Sequence, residues 1–373
     1  MSVKIAGAPL VLPAEAPKKV GELAGVLLKI KKELGEKSIV RGGDIPQVRR
    51  LPTGVFEFDL AIGGGFPFNR YSIVYGPESS GKTNLIYKAI AQAQRLPSPC
   101  NKAVFVDLEG TYSAEWAAQF GVDNDALIVA KPSYGEQAVD MIDALVRADD
   151  VAFLAVDSIA VMIAAREVEG STEKADVGTS ALLIKRMANK LAIALSEEQK
   201  RDHDVCVVLL NQTRFKIGVM FGDPETMPGG QTVKFNASLI VRISGKNLMV
   251  KEISSSIPSF KETHLVVKKA KVGIVQSKTE YNMCMLEHDG LTVGETDSFN
   301  AVKAYLQNSG DLKKSEKGTG WVLFGKLYAT LSVIQDTYRA EDAYALKLQA
   351  KVIHNMGLQL VAAQPLTEEP EKL

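Results

Sequence analysis

Apolar and polar residues alternate along this chain in two different periods. Between residues 51 and 286, short apolar runs rich in β-branched and aromatic side chains are interleaved with segments whose apolar residues recur at helical spacing. The runs cover residues 71–75, 103–108, 151–156, 205–210, 239–243, 265–269 and 282–286. Strands alternating with helices predict an α/β fold with a mainly parallel central sheet, which helices cover on both faces. The later runs lack long intervening helices, which indicates antiparallel strands at one edge.

The segment before this core has a different pattern. Residues 1–18 contain three prolines and no periodicity, which predicts a flexible arm. Six apolar residues at helical spacing then predict a helix that ends at Gly35: Val20, Leu23, Val26, Leu27, Ile30 and Leu34. The apolar stripe of this helix needs a cover. Packing on the chain's own core is the favoured interpretation, and packing on a neighbouring subunit is the alternative.

The pattern changes again after Gly290. It continues with residues 299–308, a turn rich in glycine and lysine, the run 321–324, a helix near 340–356 and a mildly acidic tail. The sequence therefore predicts three parts. Residues 1–45 form an N-terminal arm with an oligomerisation helix, residues 46–288 form the core, and residues 289–373 form a small α+β C-terminal domain with a mobile tail.

Composition excludes several classes of protein. The 373 residues include 46% apolar residues, enough for a large core, and three cysteines, too few and scattered for a disulfide framework or a zinc site. A reducing, cytoplasmic setting fits best. The 44 basic and 44 acidic residues cancel, so any contact with nucleic acid must come from local loops. No long apolar run or charged leader occurs, so neither a membrane span nor a signal peptide is expected.

The first candidate chemistry lies in residues 76–83, called the P-loop below. Its sequence, Gly76-Pro77-Glu78-Ser79-Ser80-Gly81-Lys82-Thr83, matches G-x-x-x-x-G-K-[ST], whose backbone amides surround nucleotide phosphates. Lys82 is expected to reach the β- and γ-phosphates, and Thr83 to bind Mg²⁺. An apolar strand precedes the loop and a helix over 84–93 follows it. This context favours a nucleoside triphosphate site over a glycine turn without a ligand.

Polar residues at the ends of three other strands extend this candidate site. The run 152–156 ends at Asp157 and Ser158, as a Walker B strand does when its acid holds Mg²⁺ through water. Another strand ends near Glu109, which either polarises the attacking water or is a solvated acid at a strand end. Asn211 and Gln212 close a third strand, where an amide could sense the γ-phosphate.

Two loops have compositions suited to DNA. Residues 213–230 interleave basic, aromatic and glycine residues without a clear period, and residues 169–178 are rich in glycine and charge. Basic and apolar side chains in one irregular loop suit the phosphates and splayed bases of single-stranded DNA. The alternative is that both are ordinary surface loops. DNA contact is favoured more strongly for 213–230.

With these residues in place, the chain resembles the RecA family of recombinases, including phage-encoded relatives, from about Leu28 to Leu286. The resemblance rests on residues 35–39, the P-loop, residues 135–138, 156–158 and 167–170, and above all 211–230. Residues 216–222 are nearly identical to the family's second DNA-binding loop. The resemblance implies a RecA-like P-loop ATPase core over 46–288. It also implies an ATP- and Mg²⁺-dependent recombinase that forms helical filaments on single-stranded DNA and pairs it with homologous double-stranded DNA.

The family also implies roles for individual residues of the nucleotide site. The P-loop and Asn84 would hold ATP, Thr83 and Asp157 would bind Mg²⁺ with Ser158 beside them, Glu109 would activate water, and Gln212 would sense the γ-phosphate. Trp116 falls where the family stacks an aromatic ring on adenine, although core packing is an alternative, and Ser113 falls where the family has an acid. Lys269 and Lys271 would reach a neighbouring subunit's ATP, and Phe235 would relay its state.

The implied DNA contacts lie in both loops. In the second loop they are Arg214, Phe215, Lys216, Ile217, Gly218, Val219, Met220, Gly229 and Gly230, with Ile217 wedged between base triplets; in the first they are Val177 and Gly178. Leu182 and Asn189 replace two arginines of bacterial members, and three nearby basic residues are candidates to compensate: Lys185, Arg186 and Lys190. Gly110 replaces a histidine. These departures suggest a phage-encoded or otherwise distant member.

Two rival functions use the same residues. A ring helicase has a similar ATPase core but normally needs an N-terminal partner-binding domain, which about 45 residues are too few to supply. A mediator without catalytic activity could load another recombinase. Glu109 together with an intact P-loop argues against the mediator.

Overall fold

The computed structural model describes residues 22–45, 47–165, 178–215, 225–251, 256–273, 278–288, 290–316 and 318–355. The chain divides into two compact units, Met1–Gln47 and Val48–Leu373. In the first unit, helix α1 (Glu22–Leu34) ends at Gly35, whose N–H donates to Lys31 O at 2.9 Å. Gly35 has a φ of 93°, a left-handed conformation that glycine adopts without strain. What covers the apolar stripe of α1 stays a prediction, as does the division into three parts.

The second unit is built on a mixed sheet. Its strands are β1 (Arg50–Leu51), β2 (Phe66–Pro67), β3 (Arg70–Gly76), β4 (Lys102–Asp107), β5 (Ile128–Ala130), β6 (Val151–Asp157), β7 (Cys206–Gln212), β8 (Arg214–Phe215), β9 (Glu225–Thr226), β10 (Leu239–Leu248), β11 (Phe260–Ala270) and β12 (Lys278–Cys284). In the described residues, eight of them form one sheet in the order β12-β11-β10-β3-β7-β6-β4-β5. The strands from β10 to β5 are parallel, and β11 and β12 are antiparallel at one edge. The predicted α/β fold is confirmed.

Helices cover both faces of this sheet. The helices that follow α1 are α2 (Phe56–Ile62), α3 (Lys82–Gln94), α4 (Ala114–Gln119), α5 (Gly135–Val146), α6 (Thr179–Lys200) and α7 (Gly230–Asn236). Side chains of β4 alternate between the two faces: Phe105 packs with the cluster that includes α2 and α3, whereas Val104 and Val106 pack with α5 and α6. Burial on both faces explains why the central strands are uniformly apolar.

The predicted bounds were wrong at the antiparallel edge. The strand expected over 282–286 begins at Lys278, because its polar first residues pair with β11, where Lys278 lies opposite Val266. Likewise β11 begins at Phe260 rather than 265. In its first half the buried residues Lys261, Thr263 and Leu265 alternate with partly or fully exposed ones, a pattern without the continuous apolar run that marked the central strands.

The C-terminal part has its own small sheet. It contains α8 (Phe299–Ser309), β13 (Leu312–Lys314), β14 (Trp321–Leu323), β15 (Lys326–Tyr328), α9 (Leu331–Ala340) and α10 (Asp342–Asn355). The three strands are antiparallel, and the helices share a core with Phe56 and Leu60 of α2. The helix expected near 340–356 is α10, which begins at Asp342, and its predicted last residue lies outside the described residues. Helix α9, which precedes it, was not predicted. Within the described ranges, none of the helices is long and apolar enough to cross a membrane.

Candidate functional site

The P-loop connects the end of β3 to the start of α3. A Cβ on Gly76 would lie 1.9 Å from Ile243 O, and Gly81 has a φ of 91°, so both positions require glycine. The Lys82 ammonium donates to Pro77 O at 2.7 Å and to Gly76 O at 3.2 Å. Burial lowers the pKa of Lys82, and the charges of Asp157 and Glu109 oppose that shift. The lysine therefore lies folded over the loop, where carbonyl groups bind its ammonium and the nearby carboxylates offset part of the cost of burying it.

Two oxygen ligands suited to a metal ion meet beside this lysine. Thr83 Oγ1 donates to Asp157 Oδ2 at 2.8 Å across the space between α3 and β6. Asp157 is 3% exposed, and burial raises its pKa to about 6, against the Thr83 hydrogen bond and the Lys82 charge. A hydroxyl beside a buried carboxylate fits Mg²⁺, a hard cation that prefers oxygen ligands. A bound cation would also remove the cost of the buried charge.

Glu109 is held at the carboxyl ends of three neighbouring strands. Its Oε1 accepts hydrogen bonds from Ser158 Oγ and from Gln212 Nε2, the latter at 3.0 Å. The loop that carries it is anchored by Asp107, whose carboxylate accepts from the N–H groups of Thr111 at 3.1 Å and Tyr112 at 3.2 Å. Since β4, β6 and β7 are adjacent, their ends bring these side chains together. Glu109 is an exposed residue, and its carboxylate is positioned by partners on β7 and just after β6.

Trp116 and Ser113 lie beside the first turn of α3. The Trp116 indole donates to Asn84 Oδ1 at 3.2 Å, and Ser113 accepts the Trp116 N–H at 3.3 Å as the N-cap of α4. The Trp116 ring also packs edge-on against Phe120, with centroids 5.1 Å apart. The indole thus has both a core contact and a contact to the helix that follows the P-loop. The structure brings Ser113, Trp116 and Asn84 together, and their contact with a nucleotide stays a prediction.

The end of β7 joins the P-loop to the second loop. Thr213 N donates to Gly76 O at 3.1 Å, and Asn211 Nδ2 donates to Pro228 O at 3.0 Å. Arg214 and Phe215 form β8, which pairs with β9, and Phe215 is 69% exposed. The end of β7 therefore contacts both the P-loop, through Thr213, and the last residues of the second loop, through Asn211.

Several predicted DNA contacts lie outside the described residues. They are Val177 of the first loop and Lys216, Ile217, Gly218, Val219 and Met220 of the second. Gly178, by contrast, precedes α6, and Gly229 and Gly230 begin α7 with φ values of 102° and 68°. Of the three basic residues on α6 suggested for DNA contact, Lys190 pairs with Asp140 at 2.8 Å. That contact leaves Lys185 and Arg186 as the more available of the three for a DNA phosphate.

Lys269 and Lys271 do not meet the P-loop of their own chain. Lys269 Nζ donates to Lys234 O at 2.5 Å and to Phe235 O at 2.9 Å, and Lys271 Nζ donates to Phe235 O at 2.5 Å. Both lysines thus bind carbonyl groups at the C-terminus of α7, where cations are favourable. Register places Lys269 level with Ile73 across β10, at the middle of β3 and before the P-loop. The Phe235 side chain is 66% exposed.

Sequence reasoning missed Lys261. Its buried side chain lies against Gly81 of the P-loop, although about 180 residues separate them along the chain. The available signal was the alternation at the start of β11, where Lys261, Thr263 and Leu265 share the buried face. A lysine at an inward-facing position of a strand is uncommon.

Comparisons with known proteins agree with this geometry. A family model described as the RecA N-terminal domain matches residues 21–289. Protein RecA of Roseiflexus sp. (strain RS-1) is 40% identical over 230 residues, 61% of this chain and 63% of that protein. Protein RecA of Haemophilus ducreyi is 40% identical over 255 residues, 67% of this chain and 65% of that protein. Protein RecA of Geobacter metallireducens is 35% identical over 312 residues, 82% of this chain and 85% of that protein.

The extent of these matches decides what they show. The matched part spans slightly less than two thirds of the first two relatives and most of the third. All three relatives are bacterial proteins, which lends no support to the expected phage origin. The family model covers well over half of the residues, including the P-loop, Glu109, Asp157 and Gln212. The chain therefore belongs to the RecA family of recombinases.

Proposed function

We propose that this protein is a DNA-dependent ATPase that forms helical filaments on single-stranded DNA and pairs it with homologous duplex in recombination and repair. One observation carries the proposal. Glu109 accepts hydrogen bonds both from Ser158, beside the metal-binding carboxylate, and from Gln212, at the stem of the second loop. A single carboxylate therefore connects the hydrolytic site to the segment proposed to bind DNA.

The chain's own side chains supply the steps around ATP. Lys82 exchanges the carbonyl groups of Gly76 and Pro77 for phosphate oxygens, which are better partners for an ammonium group. Thr83 and Asp157 would hold Mg²⁺, which when bound would neutralise charge on the phosphates. Glu109 accepts the proton of the attacking water. Ser113, Trp116 and Asn84 surround the base, the indole against its ring.

Gln212 is proposed as the switch between nucleotide and DNA. Without a γ-phosphate, its amide donates to Glu109 at 3.0 Å. A γ-phosphate oxygen competes for that amide and, on binding it, releases the carboxylate to orient water. The same movement pulls Thr213 and Arg214, because they follow Gln212 directly along the chain. ATP binding and the position of the second loop then depend on each other.

The second loop is proposed to make most of the contacts with DNA. Phe215 exposes a ring for base stacking, and Arg214 lies beside it to neutralise a phosphate. Lys216, Ile217, Gly218, Val219, Met220, Gly229 and Gly230 complete this loop, and Val177 and Gly178 contribute from the first. Contact with a neighbouring subunit is proposed for Lys269 and Lys271, which would leave the α7 carbonyl groups to bind that subunit's ATP. The exposed Phe235 would report this change across the interface.

DNA-stimulated ATP hydrolysis and strand exchange test the proposal together. We expect single-stranded DNA to increase ATP hydrolysis several-fold, and Lys82→Ala to abolish hydrolysis and strand exchange. The matched control is Lys200→Ala, because Lys200 is an exposed lysine at the end of α6, near the amino end of β7 and away from the P-loop. Hydrolysis that ignores DNA, or that persists in Lys82→Ala, would refute the proposal. Hydrolysis without strand exchange would instead favour the helicase, and no hydrolysis by the isolated wild-type protein would favour the mediator.

A further inference from the structure

The β10–β11 hairpin extends beyond the end of β3 and lies along one side of the P-loop. Arg242 of β10 pairs with Tyr75, the residue before the P-loop, yet β10 continues to Leu248, opposite Phe260 of β11. A Cβ on Gly245 would lie 3.3 Å from Ser80 O, so the hairpin backbone touches the loop. In the sheet order this hairpin lies on one side of β3, and the strands that carry Gln212 and Asp157 lie on the other.

Lys261, at the start of β11, lies directly against this side of the loop. Its Cγ and Cε would lie 3.7 and 4.0 Å from a Cβ placed on Gly81, and the residue is only 6% exposed. Its ammonium donates to Asn247 Oδ1 at 3.0 Å. In the described part of the chain, the structure shows no ion pair between Lys261 and a carboxylate. Burial lowers the pKa of Lys261, and its charge in turn lowers the pKa of Lys82.

Two buried lysines beside one loop are unfavourable without an anion. A buried cation loses hydration, and a neutral amide oxygen replaces only part of that loss. Their mutual repulsion adds to this cost. A triphosphate placed on the P-loop brings several negative charges into the same region and removes both penalties.

We propose that Lys261 is a second phosphate-binding lysine of its own chain's nucleotide site, opposite Glu109 and Asp157. Its ammonium exchanges Asn247 for a phosphate oxygen. Lys261 lies beside Gly81, where P-loop amides cradle the α- and β-phosphates, so its partner is a phosphate that ADP and ATP share. Lys269 lies about 26 Å farther along β11. One strand then serves its own nucleotide at one end and, under the proposed function on which this inference rests, a neighbour's at the other.

The test is a binding titration of the full-length protein with fluorescent ADP and with a non-hydrolysable ATP analogue. We expect Lys261→Met to weaken the binding of both nucleotides about tenfold, because one charged hydrogen bond is lost from each complex. Lys261→Arg, which keeps the charge, should bind within about threefold of wild type. Lys246→Met is the matched control, since Lys246 lies in the same hairpin, pairs with Glu262 at 3.3 Å and is 67% exposed.

A second variant and a melting curve separate binding from packing. Asn247→Asp gives Lys261 a permanent anionic partner, so we expect weaker binding of both nucleotides in a folded protein. Without nucleotide, Lys261→Met should melt no lower than wild type, because it removes a buried charge. A lower melting temperature with unchanged affinity would overturn the inference.

The variant Lys82→Ala distinguishes an error in the role of Lys261 from an error in the proposed function. If Lys82→Ala loses binding while Lys261→Met binds both nucleotides like wild type, Lys261 has no role and the proposed function stands. If Lys82→Ala also binds like wild type, the proposed nucleotide site itself is wrong.

Discussion

Replacing Asp157 with asparagine should make the nucleotide-free protein more stable while abolishing its activity. The carboxylate is 3% exposed, and burial raises its pKa from 3.8 to about 6. Asparagine keeps an oxygen that accepts the Thr83 hydroxyl and removes the charge. Sites that must hold a cation commonly carry such a destabilising charge when the cation is absent.

The magnitude follows from the two pKa values. The pKa of Asp157 is higher in the folded state than in the unfolded state. Its ionisation therefore opposes folding at every pH at which the unfolded chain carries the charge. This loss of folding free energy is absent well below pH 3.8, where the carboxyl is protonated in both states, and complete above about pH 7, where it is ionised in both. A pKa difference of this size then corresponds to about 3 kcal/mol. At pH 5 about half of the penalty remains. Asparagine removes the ionisation penalty but leaves a buried polar amide, so we expect a gain of about 2 kcal/mol at pH 8, or about 3 °C in melting temperature.

Melting curves from pH 5 to pH 8, with and without Mg²⁺ and an ATP analogue, test this prediction. Without ligand, the excess stability of Asp157→Asn over wild type should grow as the pH rises, and adding ligand should stabilise wild type more strongly. Asp125→Asn, at an exposed position, is the control and should match wild type at every pH. A variant less stable than wild type, or an excess independent of pH, would refute the reasoning.

Three further predictions concern other parts of the site. In Glu109→Gln, the side-chain oxygen should still accept hydrogen bonds from Ser158 and Gln212, so the variant should bind ATP normally. It should hydrolyse ATP on the order of a hundredfold more slowly in single-turnover kinetics, because it cannot accept a proton from water, and a normal rate would contradict the role of Glu109. The double variant Lys269→Ala and Lys271→Ala should bind ATP in dilute, unassembled protein but lose DNA-stimulated hydrolysis; retained stimulation would exclude an intersubunit role. Phe215→Ala should weaken single-stranded DNA binding roughly tenfold in anisotropy titrations and leave nucleotide binding unchanged.

Much of the fold could be predicted because the central strands are buried on both faces. Continuous apolar runs made β4, β6 and β7 visible in the sequence. Strand β5 was missed because only three residues pair and its first, Ile128, is exposed. At the antiparallel edge, polar residues take part in pairing, so no apolar run marks where those strands begin.

The site was predictable to the extent that it follows strand ends. Thr83, Asp157, Glu109 and Gln212 end or follow neighbouring strands, and a parallel sheet brings such positions to one edge. Lys261 could not be placed in this way, since its approach to Gly81 depends on the length of an antiparallel hairpin. Likewise, nothing in the sequence indicated that Lys269 and Lys271 would bind the carbonyl groups of α7.

Electron microscopy of the protein with single-stranded DNA and a non-hydrolysable ATP analogue tests the central claim most directly. We predict helical filaments that coat the DNA in the presence of the analogue and that are absent when Lys82→Ala replaces the wild-type protein. Closed rings, or particles that do not assemble on DNA with the analogue bound, would contradict the account.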